Sequence, residues 1–274
     1  GVAPEADLII IKALRSGDSF SSADVVTALA YIDARAASLG KPYVANLSLG
    51  GQQGPHDGGS LEAVAIDEIV GPGIDGKVVV TAAGNEGNDG IHTTGILDST
   101  EFGHVVDKER SFTANAGTAV GIDIWTEVDP AKINHPYSVY ITVEGPDTLF
   151  GPVSGFPFQD SANHSDGNIK ISSQRFVPPR VANKVINTDV SITIKKGGDW
   201  KIRVRGSKGS GSGRFDMWVY TGNAEFLETD ADTVMHVGTP GAAKNAITVG
   251  AYVSKGTWID DSNVSHTAAA NGVA

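Results

Sequence analysis

Three acidic residues at alternate positions offer the most direct metal chemistry in this 274-residue sequence. Glu228, Asp230 and Asp232 could supply the carboxylate oxygens that calcium prefers as ligands. The same residues also fit a solvated acidic hinge between two parts of the chain, which is the favoured interpretation. A structural calcium ion therefore stays an open expectation, and no cofactor is expected to be required.

The histidine and cysteine content argues against zinc and thiol chemistry. The seven histidines show no H-x-x-x-H or H-x-H spacing, so zinc ligation has no support and we expect these histidines on the surface or in loops. The chain contains no cysteine, which excludes disulfides, a thiolate nucleophile and iron–sulfur clusters.

A glycine-rich stretch at 71–76 fits the dinucleotide pattern G-x-G-x-x-G, and with Lys77 it nearly fits a phosphate-binding loop. Both motifs must open a helix, whereas this stretch follows a predicted helix and precedes a predicted strand. Val78 also stands where Ser or Thr would contact magnesium. We therefore interpret the stretch as a turn.

The predicted secondary structure, which would position any site, differs between the N-terminal part and the middle of the chain. The N-terminal part alternates apolar runs with helical periodicity, and a capping signal at Ser21 and Asp24 opens the first helix. Strands are predicted at 8–11, 43–49 and 77–83, with helices from about 21 to 39 and from Ser60 to about 70. This order predicts a parallel sheet buried on both faces.

The middle of the chain changes to a period of two. Trp200, Ile202 and Val204 alternate with Lys201 and Arg203, and other short runs behave alike. Such strands, separated by Gly, Pro and Asn, predict an antiparallel β-sandwich or jelly roll. The row of Lys and Arg residues at 195–205 could be a binding face beside Trp200 and Trp218. The favoured interpretation is the solvent-facing side of a half-buried sheet.

A short apolar strand at 246–251 then returns to the first pattern. We therefore predict an α/β fold in which residues 1–90 and 232–274 form a discontinuous core and residues 91–231 form an inserted all-β domain. The net charge of −11 argues against nucleic acid and anionic membranes as partners. No apolar run approaches the length of a membrane span.

Four motifs occur in order on the predicted α/β elements: Gly1-Val2-Ala3-Pro4, Asn46-Leu47-Ser48-Leu49-Gly50-Gly51, Ala82-Ala83-Gly84-Asn85-Glu86-Gly87 and Asn245-Ala246-Ile247-Thr248-Val249-Gly250-Ala251. Together they resemble the subtilisin-like serine proteases (subtilases). The resemblance covers residues 1 to about 90 and about 233 to 258, and it implies a partial three-layer parallel sheet interrupted by the jelly-roll-like insert.

The resemblance also implies a substrate cleft. Ser48, Leu49 and Gly50 would pair with the substrate peptide as an added strand. A second wall of the specificity pocket would come from the small residues Ala82, Ala83 and Gly84. Asn85 maps onto the asparagine that donates a hydrogen bond to the oxyanion of the tetrahedral intermediate, although an ordinary turn residue would also fit.

A subtilase needs an Asp, a His and a Ser acting together, and no residue of this chain can be assigned to that triad. The family's Asp and His motifs lie before the segment matched by Gly1–Pro4, and the sequence contains no Gly-Thr-Ser. We therefore expect a segment of a serine endopeptidase, inactive alone, lacking initiator Met and signal peptide as a processed or excised piece would. The alternative is a pseudo-protease or assembly protein that uses the β insert to bind a partner or glycan.

Two further expectations follow from the resemblance and the incomplete core. Subtilases with inserts are usually exported, which favours a secreted or cell-surface location without excluding the cytoplasm. An incomplete parallel sheet exposes strand edges and apolar faces, which favours self-association.

Overall fold

The computed structural model describes residues 3–13, 20–97, 105–128, 139–154, 158–175, 184–207, 212–252 and 256–267. Gly1 and Val2 of the first motif lie outside these ranges. None of the helices found there is both long and apolar enough to cross a membrane.

The first part of the fold contains two helices, and each begins at a serine cap. Helix α1 (Ser22–Leu39) opens with a capping box between Ser21 and Asp24 and ends at Gly40, whose φ of 62° suits a left-handed C-cap. Helix α2 (Leu61–Ile69) opens at Ser60, whose hydroxyl accepts a hydrogen bond from Ala63 N. These features confirm the predicted helices.

Three parallel strands accompany the helices. Strand β2 (Lys77–Ala82) lies between β1 (Tyr43–Leu47) and β14 (Ile247–Val249). Both helices pack on one sheet face, where Leu47 and Val79 join Leu29 of α1 and Ile66 of α2 in one apolar cluster. Gly71–Gly76 forms the turn between α2 and β2, as predicted.

The opposite face of this sheet is open in the described part of the chain. Val44, Ile247 and Val249 are 69%, 55% and 53% exposed. The predicted three-layer arrangement is therefore not what the described residues form, because both helices cover the same face and leave two layers.

The strand predicted at 8–11 was also wrong. Residues 5–13 have no regular secondary structure, and Leu8 and Ile10 are 81% and 87% exposed. A continuous apolar run indicates a preference for burial, but strand formation also needs a neighbouring strand, and the described residues supply none for this segment.

The middle of the chain forms two antiparallel sheets packed face to face, which confirms the predicted β-sandwich. The strands are β3 (His92–Ile96), β4 (Val105–Ala114), β5 (Ala119–Val128), β6 (Tyr140–Glu144), β7 (Leu149–Ser154), β8 (Phe158–Asn163), β9 (Gly167–Arg175), β10 (Lys184–Ile194), β11 (Gly198–Ser207), β12 (Ser212–Thr221) and β13 (Glu225–Phe226). The six-stranded sheet has the order β3-β12-β5-β10-β9-β8, and the five-stranded sheet has the order β13-β4-β11-β6-β7. Near the C-terminus, β15 (Thr257–Ile259) and β16 (Ser265–Thr267) form a separate hairpin.

The predicted alternation along β11 is present. Trp200, Ile202 and Val204 are fully buried between the sheets, whereas Lys201 and Arg203 point outward and pair with Glu109 at 2.8 and 2.9 Å. Since Trp200 and Trp218 are both fully buried, the basic row is the charge-paired outer side of a sheet and not an aromatic binding face.

The sandwich has a core of its own, separate from the cluster beneath the parallel sheet. The domain boundaries at 90/91 and 231/232 stay predictions, and side chains make contacts across them, as described below.

Candidate substrate cleft and its junction with the sandwich

The two predicted walls of the cleft begin at the same edge of the parallel sheet. Ser48, Leu49 and Gly50 follow β1, while Ala83, Gly84 and Asn85 follow β2. Because β1 and β2 are parallel, their carboxyl ends lie side by side. The structure thus brings the sequence-predicted substrate residues together.

A third segment, absent from the sequence prediction, joins the walls. Thr239 and Gly51 exchange two backbone hydrogen bonds of 3.0 and 2.9 Å, and Gly238 N donates to Ala83 O at 3.0 Å. A Cβ on Gly50 would lie 2.9 Å from Thr239 O, so this approach requires glycine. The cis Thr239-Pro240 bond in this segment was not predictable from local sequence.

The first wall keeps free backbone groups. Among the described residues, the N–H and C=O groups of Leu49 and Gly50 make no hydrogen bond to another backbone group. Gly50 is exposed, and Leu49 is half-buried against the cluster beneath the sheet. An extended peptide could therefore pair with this segment by strand addition.

Glu86 connects the second wall to the first. Its Oε2 accepts hydrogen bonds from Asn85 N and from Gln52 Nε2, each at 2.8 Å. Gly84 has a φ of 118°, and a Cβ there would lie 2.8 Å from the same carboxylate oxygen. The sequence analysis assigned no role to Gln52 or Glu86, although Glu86 belongs to the third motif and Gln52 directly follows the second.

Asn85 is exposed at this edge, and its side-chain amide makes no hydrogen bond within the described part of the chain. The amide is thus available as a donor. The oxyanion role of Asn85 and the substrate roles of its neighbours stay predictions.

The segment that follows Asn85 lies among acidic side chains. Burial raises the pKa of the Asp89 carboxyl, and the nearby charges of Glu225 and Glu86 raise it further. His236 acts in the opposite direction. The local field therefore favours cationic over anionic groups.

Two of the three acidic residues considered for calcium are engaged by protein donors. Ser111 N donates to Asp230 Oδ2 at 2.8 Å, and His92 Nδ1 lies 2.6 Å from Asp232 Oδ1. Glu228 is exposed. Across the described residues, no group of three or more His, Cys, Asp or Glu is arranged to hold a metal ion. Calcium binding stays an untested prediction.

The expectation of surface or loop histidines was wrong at His92, whereas His56 lies in a loop, as expected, but is buried there. His92 is fully buried on β3, between Asp232 and Asp216, whose Oδ1 is 3.5 Å from His92 Nε2. His56 is only 8% exposed and stacks on Trp218. The sequence showed no spacing signal because these rings meet from separate segments of the chain.

Comparisons with known proteins agree with this geometry. Residues 1–122 match the model of the subtilase family. Pyrolysin of Pyrococcus furiosus is 39% identical over 95 residues, which are 35% of this chain and 6% of pyrolysin. The structure of the Clostridium perfringens CspB protease aligns over 86% of this chain and 47% of that chain, with 22% identity and a TM-score of 0.65.

The match to the CspB protease shows a shared fold that extends through most of the chain, the sandwich strands included. The chain spans about half of that solved chain and a small part of pyrolysin. The four ordered motifs and the family match agree: residues 1–122 of this chain are similar to the subtilase family.

Proposed function

We propose that this chain supplies the substrate-binding cleft and the oxyanion donor of a subtilisin-like serine endopeptidase. The observation that carries this proposal is the free backbone of Leu49 and Gly50, which lies beside the second wall at one sheet edge and is joined to it through Gly238 and Thr239. A substrate peptide would pair with Leu49 and Gly50, which places its scissile carbonyl within reach of Asn85.

Asn85 would act only as negative charge develops on the carbonyl oxygen. A preorganised amide donor stabilises the tetrahedral intermediate more than the ground-state carbonyl, so it lowers the barrier to the chemical step. No residue of this chain is assigned as nucleophile, general base or orienting acid. We infer that the triad comes from other parts of the protein and that this chain alone does not hydrolyse peptides.

The experiment uses the longer protein that contains this segment. Asn85→Ala should lower kcat by roughly 10²–10³, with little change in KM, which is the size of loss seen for such a donor in a subtilisin. Asn223→Ala, at an exposed turn of the sandwich, is the matched control and should leave kcat unchanged. Equal effects of the two substitutions would contradict the oxyanion role.

A second experiment addresses the chain alone. A fluorophosphonate probe labels only an activated serine, so it should leave this chain unmodified. Labelling at any serine would overturn the inference that the triad lies elsewhere.

A binding or assembly role of the sandwich is the second candidate, and a groove of about 590 Å³ on the six-stranded sheet favours it. The groove is lined by aromatic, amide and carboxylate side chains, among them Gln53, Phe158, Gln159, Gln174, Asp189 and Tyr220. A screen of neutral oligosaccharides and of peptides against the chain, with Tyr220→Ala as the variant, would test this role. Catalysis by the longer protein that survives Tyr220→Ala would separate it from the first proposal.

We also infer that the protein is exported and that its substrates are peptides or proteins. The match of residues 1–122 to the subtilase family model supports both inferences. Fractionation of the source cells with an antibody against this chain would test the location, and recovery only in the cytoplasm would refute export.

A further inference from the structure

The ring of His56 lies between two carbonyl oxygens that belong to the cleft segments. Its Nδ1 is 2.9 Å from Val237 O, and its Nε2 is 3.0 Å from Gln52 O. A carbonyl oxygen can only accept, so both contacts are hydrogen bonds only if both ring nitrogens carry a proton. A neutral imidazole has one N–H and would direct a lone pair at the other oxygen.

The indole of Trp218 provides a second reason for a charged ring. The His56 and Trp218 rings are stacked, with centroids 4.2 Å apart and an interplanar angle of 3°. Tryptophan offers the most favourable aromatic face to a cation. Its indole is held in place because Trp218 Nε1 donates to Met235 O at 3.0 Å.

Burial acts against the charge, since His56 is only 8% exposed. Ionisable groups of both signs surround the ring. They comprise Asp57 on the same loop, Glu86 behind Gln52, Asp123 bonded to Gly54 N, Lys244 beside Gly58, and the group of His92, Arg214, Asp216, Asp232 and His236 around Trp218. Arg214 is paired with Asp216, and His92 lies between Asp216 and Asp232.

We propose that His56 is a positioning residue whose imidazolium form holds the two cleft segments against the sandwich. One hydrogen bond fixes Gln52, which follows the first wall, and the other fixes Val237, which precedes Gly238 and Thr239. The cleft geometry thereby depends on a proton. This assignment deepens the proposed peptide-binding function, but the protonation itself can be measured without it.

The structural effect of losing the His56 proton would extend to the second wall. Gln52 also donates to Glu86 Oε2, which in turn accepts from Asn85 N. When His56 becomes neutral, one carbonyl faces a lone pair and its segment moves away. This displacement reaches Asn85 through the side chain of Gln52 and the carboxylate of Glu86.

The sign of the pH dependence follows from linkage. The folded chain binds the His56 proton more tightly than the unfolded chain, where histidine titrates near pH 6.5. The stabilisation is therefore fully present below about pH 6.5 and is lost as the pH rises through the titration of folded His56.

The direct test is long-range ¹H–¹⁵N NMR of the histidine-labelled chain between pH 5 and 9. At pH 7.5 an ordinary histidine is about tenfold more neutral than charged. His56 should instead still show two protonated ring nitrogens. A neutral His56 at pH 6.5 would overturn the proposal, whatever the chain binds.

Variants separate positioning from simple packing. Asn tolerates the positive φ of 52° at this position, so His56→Asn should fold and lose less stability than the wild-type chain between pH 6 and 8. Trp218→Phe keeps an aromatic face but weakens the cation contact, so it should lower the midpoint of the His56 titration. The control is His164→Asn in the sandwich, which should leave both readouts unchanged.

Peptide affinity provides the functional readout. In the wild-type chain the affinity should fall as pH rises through the measured His56 midpoint, and in His56→Asn it should be low and independent of pH in that range. A wild-type affinity that does not follow the midpoint would refute the positioning role. If no peptide binds at any pH, the proposed function fails, while the NMR result still decides the protonation.

Discussion

The carboxylate of Asp123 on β5 accepts a hydrogen bond of 2.8 Å from the backbone N–H of Gly54, which lies in the loop after the first cleft wall. The same oxygen accepts from Trp125 Nε1 at 2.8 Å, and the other oxygen accepts from the Asn187 side chain. One buried carboxylate thus ties the cleft loop to the sandwich through three donors.

Asp123→Asn should lower the free energy of unfolding by about 1–3 kcal/mol at pH 7, because an amide N–H₂ would face one of these donors. Urea denaturation measures the change. Asp160→Asn on β8, where the carboxylate is exposed, is the control and should cost less than about 0.5 kcal/mol. A loss no larger than that of the control would show that the three contacts contribute little.

Burial raises the pKa of Asp123 to about 6, although its three donors act in the opposite direction. The folded value exceeds the unfolded one, so this residue stabilises the fold below about pH 4, and that contribution is lost as pH rises through about 6. Between pH 4 and 7 the wild-type chain should lose on the order of 2–3 kcal/mol relative to Asp123→Asn.

Unfolding free energies of both proteins, measured at intervals of one pH unit, test this expectation. Other titrating groups affect both proteins alike and cancel in the difference. A wild-type chain that gains stability over the variant as pH rises would mean that the donors outweigh burial.

Gly84→Ala tests the close approach behind Asn85. Its φ of 118° strains any side chain, and the new Cβ would lie 2.8 Å from Glu86 Oε2 and 3.3 Å from Gln52 Nε2. Gly73→Ala has a positive φ of 83° with no atom within 4 Å, so it isolates the backbone cost of about 1 kcal/mol. Gly84→Ala should destabilise by about 1–3 kcal/mol more.

The same pair of variants addresses peptide binding. Gly84→Ala should weaken it by displacing Glu86, whereas Gly73→Ala, in the turn before β2, should leave it unchanged. Equal stability and equal affinity of the two variants would show that the contact with Glu86 is easily relaxed.

The open face of the parallel sheet predicts self-association of this chain. Val44, Ile247 and Val249 are exposed on the same face of this sheet, on the two strands that flank β2. Val44→Lys combined with Ile247→Lys should shift the chain toward monomer in sedimentation equilibrium.

Leu149→Lys on β7, at a side chain that is 59% exposed, is the control and should not change the association. A wild-type chain that stays monomeric at high concentration would contradict the prediction.

The sequence determined the features that depend on neighbouring residues. Ser21 with Asp24, and Gly40, specify the ends of α1 because a cap acts within one helical turn. Trp200, Ile202 and Val204 specify the inner face of β11 because side chains alternate along any strand. The motif order indicated the family and the edge at which the cleft forms.

The tertiary structure decided the features that depend on distant residues. The apolar run at 8–11 did not form a strand, since a strand needs a partner that periodicity cannot supply. Thr239 joins Gly51, and His56 meets Trp218, across 188 and 162 positions of the chain. Residue spacing carries no information about such contacts, because they arise only when separate cores pack together and align their hydrogen-bonding groups.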